Sequence, residues 1–141
     1  MRNSKSSAIG AASVAEQLAY TDKVVAILGP ATTNDGTASI PNVTKAAVPM
    51  VSPSATDPNF TLQKNGSVQP YVFRACFNNE FQGDHAAIFA NDTLKAKNVA
   101  IIADNSTDYG TGLAKAFKKK FKGNIVTTQY YQSGDKDFNA M

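Results

Sequence analysis

Apolar runs and amphipathic stretches alternate along this chain with periods that suit strands and helices in turn. Residues 24–28, Val-Val-Ala-Ile-Leu, form a β-branched apolar run that predicts a strand covered on both faces. Residues 48–51 and 71–77 predict two further strands, and residues 99–103, a buried-type run, and 125–131 two more. Between them, residues 8–19 are alanine-rich with Val14 and Leu18 four apart, which predicts a helix. Residues 34–47 predict a second helix, with Thr32 and Thr33 as candidate caps, Ile40, Val43 and Ala47 as its apolar side, and a kink at Pro41. A third helix is expected from Glu80 to about Leu94, capped by Asn78 or Asn79, and a fourth from Tyr109 to Phe121. Residues 57–69 contain Pro58, Asn65 and Gly66 and read as an irregular loop, and residues 135–141 read as the first turn of another helix. Strands alternating with helices imply an α/β chain with a mainly parallel sheet and right-handed crossovers.

A length of 141 residues bounds the chain to one ordinary domain or to pieces of two. Hydrophobic residues at 43% and charged residues at 18% give a composition able to build a core and too weakly charged for disorder. No run approaches the ~18 consecutive apolar residues of a membrane span. Residues 1–7 hold Arg2 and Lys5 but no apolar stretch long enough for a secretory signal, so an exported protein is expected here without its export segment. The net charge of +3 is mild, and much of the basic density lies at Lys115, Lys118, Lys119, Lys120 and Lys122. Leu113, Phe117 and Phe121 recur every fourth residue on the same helix, so that stripe is expected to face a core and the lysines water. Phe117 and Phe121 belong to the core-facing stripe, so the lysine face itself carries neither the aromatics nor the arginines that nucleic-acid binding would need. Cys76 is the sole cysteine, which excludes an internal disulfide and predicts a small buried hydrophobe.

The chemistry concentrates at two strand ends. The first predicted strand runs into Gly29, Pro30, Ala31, Thr32 and Thr33, and the second into Ser52, Pro53, Ser54, Ala55, Thr56, Asp57 and Pro58. In open α/β sheets ligands collect beyond the carboxyl ends of the strands, so two hydroxyl-rich loops at one edge make a polar pocket. Hydroxyls beside a helix N-terminus offer donors and positive potential to an anion, and Thr33 is placed to do this, although a helix cap is its equally simple role. Arg74 lies within a strand, where a structural ion pair is expected. His85, four residues after Phe81 and without a second histidine, reads as a satisfied or half-exposed side chain, not a metal ligand.

Enzyme signatures are weak. Residues 29–36 resemble a phosphate cradle but lack its Gly-Lys-Ser/Thr ending, and Gly110 and Gly112 are only part of a dinucleotide fingerprint. No nucleophile elbow surrounds Ser52 or Ser54, and Asp104 ends a strand without a second acidic strand end to hold a metal. Sequons at Asn42, Asn59, Asn65, Asn91 and Asn105 would be glycan sites in a eukaryotic secreted domain, and they are also ordinary loop composition.

The ordered series Ile-Leu-Gly-Pro-Ala-Thr-Thr (27–33), Val-Pro-Met-Val-Ser-Pro-Ser-Ala-Thr-Asp-Pro (48–58), Phe-Arg-Ala-Cys-Phe-Asn-Asn-Glu-Phe-Gln-Gly (73–83), Asp-Tyr-Gly-Thr-Gly-Leu-Ala (108–114) and Gly-Asp-Lys-Asp-Phe (134–138) resembles the branched-chain amino acid binding proteins of ABC transporters, receptors of the type I periplasmic binding protein family. The resemblance implies Rossmann-like, flavodoxin-like α/β lobes, incomplete here. Residues 1–77 would be part of the first ligand-binding lobe and residues 78–141 the start of the second, with earlier strands expected before Met1 and most of the second lobe after Met141. It implies that Thr33 and the backbone and hydroxyls of Ser54 and Thr56 hold the ligand's carboxylate and amino group, that Tyr109 lines the cleft from the second lobe, and that Gln82 and Gly83 serve close packing. It further implies a non-enzymatic receptor outside the cytoplasmic membrane, periplasmic or lipid-anchored, with an amino acid ligand and a membrane permease as partners, no nucleic acid, no cofactor and no metal. An acidic residue balancing the ligand's ammonium is expected beyond Met141, so weak binding is expected of the 141 residues alone. Uncovered sheet edges are expected to favour self-association. A flavodoxin-like small enzyme or regulatory domain, and a sensory receptor domain of the same fold, are the alternatives.

Overall fold

The computed structural model describes residues 2–139, and the chain divides into two compact units, Met1–Asn78 and Asn79–Met141. The first unit contains helix α1 (Ala8–Glu16), strand β1 (Ile27–Leu28), helix α2 (Thr33–Ala46), strand β2 (Met50–Ser52) and strand β3 (Val72–Arg74). Its strands pair in the order β1-β2-β3, all parallel. Register places Ile27, Met50 and Val72 in one row and Leu28, Val51 and Phe73 in the next. Because side chains alternate across a strand, the two rows face opposite ways. The first row is buried with Ala15 and Ala19 from the first helical segment and Ile40 and Val43 from α2. In the second, Leu28 is 90% exposed and Phe73 53%. The expectation of a doubly covered first strand is therefore corrected: only one face is covered among the described residues, and Val25 is as open as Leu28.

Helix α2 starts one residue earlier than the sequence pattern suggested, with Thr32 as its cap: the Thr32 hydroxyl oxygen accepts from the Asp35 N–H at 3.4 Å. The helix continues through Pro41 to Ala46. Ala47, expected on the apolar side, is instead exposed in the left-handed region at φ 55 and ends the helix. Helices α1 and α2 are stitched together by the Asn42 amide, which donates to the Ala12 carbonyl at 2.8 Å, and by the Ser39 hydroxyl, which donates to Asp35 and Ala11 carbonyls. The segment 57–69 is not wholly irregular: Pro58–Phe60 forms a 3-10 turn that delivers Phe60 to full burial, and Leu62 bridges Val68. A Cβ on Gly36 would lie 2.7 Å from Cε2 of Phe60, so the ring reaches the helix only because that position is glycine.

The second unit holds helix α3 (Asn79–Ile88), strand β4 (Asn98–Asp104), helix α4 (Asp108–Lys120) and strand β5 (Asn124–Tyr131). The two strands pair in parallel, with a bulge after Val99 that shifts the register. Helices α3 and α4 pack closely through Gly83, where a Cβ would lie 2.5 Å from the Cβ of Ala116. Phe117 and Phe121 stack at 5.3 Å, and Phe121 is buried with Ala87 and Ala90. Strand β4 was expected to be buried; instead Ala100 and Ile102 are exposed and only the alternate residues face the helices. Lys118 is not purely solvated, because its Nζ donates to the Tyr130 hydroxyl at 3.3 Å and lies 5.5 Å from that ring. Residues 135–139 form no helix, and residues 140–141 of the expected turn lie outside the described residues.

One local device occurs in both units. Helices α1 and α3 each loosen into a π-helical turn, Gln17–Thr21 and Phe89–Thr93, followed by a left-handed lysine, Lys23 or Lys95, each at φ 51. The chain then doubles back, with the Val24 N–H donating to the Leu18 carbonyl and the Ala96 N–H to that of Ala90, and enters the next strand. Replacing Phe60 with alanine is expected to lower the stability of the Met1–Asn78 unit by about 3–5 kcal/mol, read from urea unfolding followed by circular dichroism.

Candidate functional site

Parallel pairing brings the carboxyl ends of β1, β2 and β3 to one edge, and there the two hydroxyl-rich loops meet. Gly29 sits at φ 112, a conformation that favours glycine, and turns the chain out of β1. Ser52, fully buried at the end of β2, is the junction between the loops: its hydroxyl donates to the Pro30 carbonyl at 2.6 Å and its oxygen accepts from the N–H groups of Ser54 at 3.4 Å and Ala55 at 3.0 Å. Ser54 adds a second tie, its hydroxyl donating to the Ala31 carbonyl at 2.6 Å.

Thr33 is the first residue of α2 and is 3% exposed. Its hydroxyl oxygen accepts from the Thr56 N–H at 3.1 Å. The Thr56 side chain is also buried, and its hydroxyl has no hydrogen-bond partner among the described residues. A buried hydroxyl without a partner costs free energy unless something completes it. It lies beside Thr33 at the positive end of the α2 macrodipole, a combination suited to an anion. The structure thus brings Thr33, Ser54 and Thr56 together, with Ser54 exposed and its hydroxyl proton committed to Ala31.

Arg74 makes no ion pair among the described residues, which corrects the expected carboxylate partner. Its guanidinium donates to the carbonyls of Ala55 at 3.3 Å and Asp57 at 2.8 Å and to the Thr61 hydroxyl at 3.0 Å. Cys76 is half-buried, its thiol 3.6 Å from the Ala55 carbonyl, where a fully buried side chain was expected. A separate cavity of about 430 Å³ lies between residues 2–6, α1 and β1. It touches Thr32, but neither Thr33, Ser54 nor Thr56 lines it.

In the second unit, Tyr109 occupies the first turn of α4 behind the cap residue Thr107, whose hydroxyl oxygen accepts from Gly110 at 3.1 Å. Tyr109 is 42% exposed, and its hydroxyl accepts from the Gln82 side chain at 3.1 Å. Asn79 is 1% exposed and both polar atoms of its amide lack a partner among the described residues; Gly112 of α4 lies against it, and a Cβ there would collide with the amide nitrogen. His85 is exposed, its ring 4.0 Å from that of Phe81 and its Nδ1 2.8 Å from the Phe81 carbonyl. Asp104, at the end of β4, accepts from the backbone and hydroxyl of Ser106 and from the Ser133 hydroxyl. These bonds, those of Ser106 foremost, hold its carboxyl below the usual aspartate value. No group of three or more histidine, cysteine or acidic side chains is arranged to hold a metal among the described residues.

Ser52 and Phe60 were not singled out as functional or core residues by sequence reasoning, and Asn79, expected as a possible helix cap, is instead the buried first residue of α3. Ser52 was legible in principle, because it alternates with Met50 and so shares the core face of β2. Phe60 carries no such local signal.

Comparison with known proteins supplies an independent line. The family model described as periplasmic binding protein matches residues 2–141. The structure of the branched-chain amino acid transporter substrate-binding protein LivJ from Streptococcus pneumoniae, solved with isoleucine, is 40% identical with a TM-score of 0.91, and the match covers 99% of this chain and 38% of that one. The leucine-binding protein LivK from Thermotoga maritima is 35% identical with a TM-score of 0.89, over 98% of this chain and 39% of that one. A Leu/Ile/Val-binding protein homologue from Brucella melitensis is 33% identical over 85% of this chain. The chain spans about a third of the length of the curated relatives it matches.

Ser52→Ala would strand the Pro30 carbonyl and two loop N–H groups, and is expected to cost about 1–3 kcal/mol in urea unfolding. For Asp104 the folded carboxyl titrates below its ordinary value, so its contribution is present above about pH 4 and is lost as pH falls through the depressed folded value. Carbon-detected NMR titration of Asp104 should therefore give a midpoint below that of a model aspartate, and Ser106→Ala should raise it.

Proposed function

The chain belongs to the periplasmic binding protein family, and we propose that it forms part of an extracytoplasmic receptor that captures a branched-chain amino acid and delivers it to the permease of an ABC transporter. The observation that carries this reading is the buried, uncompleted hydroxyl of Thr56 beside Thr33 at the N-terminus of α2. A ligand carboxylate supplies the acceptor that both hydroxyl protons lack, and the helix end adds positive potential without a fixed charge. The backbone carbonyl of Ser54 and the oxygen of Thr56 are the acceptors proposed for the ammonium. From the second unit, Tyr109 is the residue proposed to meet the ligand, through its partly exposed ring.

On this reading Met1–Asn78 belongs to one ligand-binding lobe and Asn79–Met141 to the next. The receptor carries out no bond chemistry: it recognises, encloses and releases. The isoleucine in the LivJ structure and the names of the leucine and Leu/Ile/Val-binding relatives support the ligand class. The open outer edges of β1 and β3, and the bare row of Leu28 and Phe73, support self-association of the 141-residue chain when it is produced alone.

Titration calorimetry with leucine, isoleucine and valine tests the reading, on the protein carrying this sequence at the full length of its relatives and on the 141-residue chain beside it. The longer protein should bind at least one of the three, the 141-residue chain at least about a hundredfold more weakly, and Thr56→Val in the longer protein should weaken binding about tenfold or more. Failure of the longer protein to bind any of the three overturns the reading.

A further inference from the structure

Arg74 lies opposite Ser52 in the β2–β3 register, at the same sheet edge as the hydroxyl loops. Its half-buried guanidinium carries a fixed positive charge with no carboxylate partner among the described residues, so that charge is not neutralised by an ion pair. What it holds instead is backbone. Nη1 donates to the Ala55 carbonyl at 3.3 Å and the Asp57 carbonyl at 2.8 Å, on the two sides of Thr56.

The Ala55 carbonyl and the Thr56 N–H are the two ends of one peptide unit. A cation at the oxygen end draws electron density from the nitrogen end and makes its N–H a stronger donor, because hydrogen bonds in series polarise one another. That N–H donates to the Thr33 hydroxyl oxygen at 3.1 Å, so the same bias passes to the Thr33 O–H proton. Accepting from Thr56 also aims that proton away from the amide, and it donates to nothing among the described residues.

We propose that Arg74 is a positioning residue for anion recognition: its guanidinium polarises the Ala55–Thr56 peptide and, through it, the Thr33 hydroxyl that meets the ligand carboxylate. The inference rests on the ligand reading above and adds to it a second source of positive potential beside the N-terminus of α2. The guanidinium works from behind the loop, so the site gains cationic character while the ligand touches only neutral donors. Its planar fork also spans Ala55, Asp57 and Thr61 at once, which a lysine ammonium on a single flexible stem reproduces poorly.

The test uses Arg74→Gln and Arg74→Lys in the protein carrying this sequence, each first matched to the wild type by circular dichroism. The Thr56 amide proton in ligand-free protein, read by nitrogen-edited NMR, should move upfield in Arg74→Gln and less in Arg74→Lys, which keeps the charge. L-leucine affinity by calorimetry should fall about tenfold in Arg74→Gln and by a smaller factor in Arg74→Lys. A folded Arg74→Gln whose Thr56 amide does not move overturns the relay, even if leucine binding weakens, since Arg74 would then act only as scaffold. Unchanged leucine affinity with a moved amide overturns its role in recognition. If the wild type binds none of leucine, isoleucine and valine, the receptor reading fails, while the Thr56 amide still decides whether the relay exists.

Discussion

The parallel pairing of β1, β2 and β3 is the constraint on which the rest of the first unit depends. Parallel strands start and finish on the same sides, so three strands that each pass into a loop deliver all three loops to one edge. Register then does the finer placement. With Ile27, Met50 and Val72 in one row on the core face, the residues two further along β2 and β3, Ser52 and Arg74, share that face where the core gives way to the loops. A slip of one residue would turn Ser52 and Arg74 to the open face, and the junction between the loops would be lost.

Burial and hydrogen bonding at that edge are unevenly satisfied, and the unevenness is informative. Ser52 is fully used, Ser54 is tied to Ala31, and Thr33 receives the Thr56 amide. Against that background the Thr56 hydroxyl, which neither donates nor accepts among the described residues, stands apart. Frames of completed bonds around one unfilled group hold that group in place, which is what a preorganised binding surface requires. Phe60 contributes from the other direction: its burial against Gly36 anchors the loop that carries Thr56 to the helix that carries Thr33.

The second unit is built on similar local rules. The π-helical turn followed by a left-handed lysine recurs, so the return from helix to strand is made the same way in both units. Gly83 and Gly110 mark two close approaches, of α3 to α4 and of the start of α4 to the end of β4. Asp104 gathers Ser106 and Ser133 around the end of β4, and its depressed titration follows from those donors.

The order of the helices and strands and the two hydroxyl loops were legible in the sequence, because apolar periodicity, Gly, Pro and Thr act over a few residues and leave their mark locally. The motif series also carried the family, which the match over residues 2–141 bears out. Covering was a different matter. The run of residues 24–28 says that a strand is apolar but not how many layers pack on it, and the exposure of Val25 and Leu28 was decided by which elements stand opposite. Arg74 shows the same limit: its charge and strand position were visible, but its partners, the carbonyls of Ala55 and Asp57, are backbone groups that no residue code announces. The sequence by itself determined the elements and their chemistry, since those depend on neighbours along the chain. Only the tertiary structure decided which face is dry, which hydroxyl is left incomplete and what a fixed charge acts upon, since those depend on groups far apart along the chain, such as Arg74 and Asp57, 17 positions apart, and Thr33 and Thr56, 23 apart.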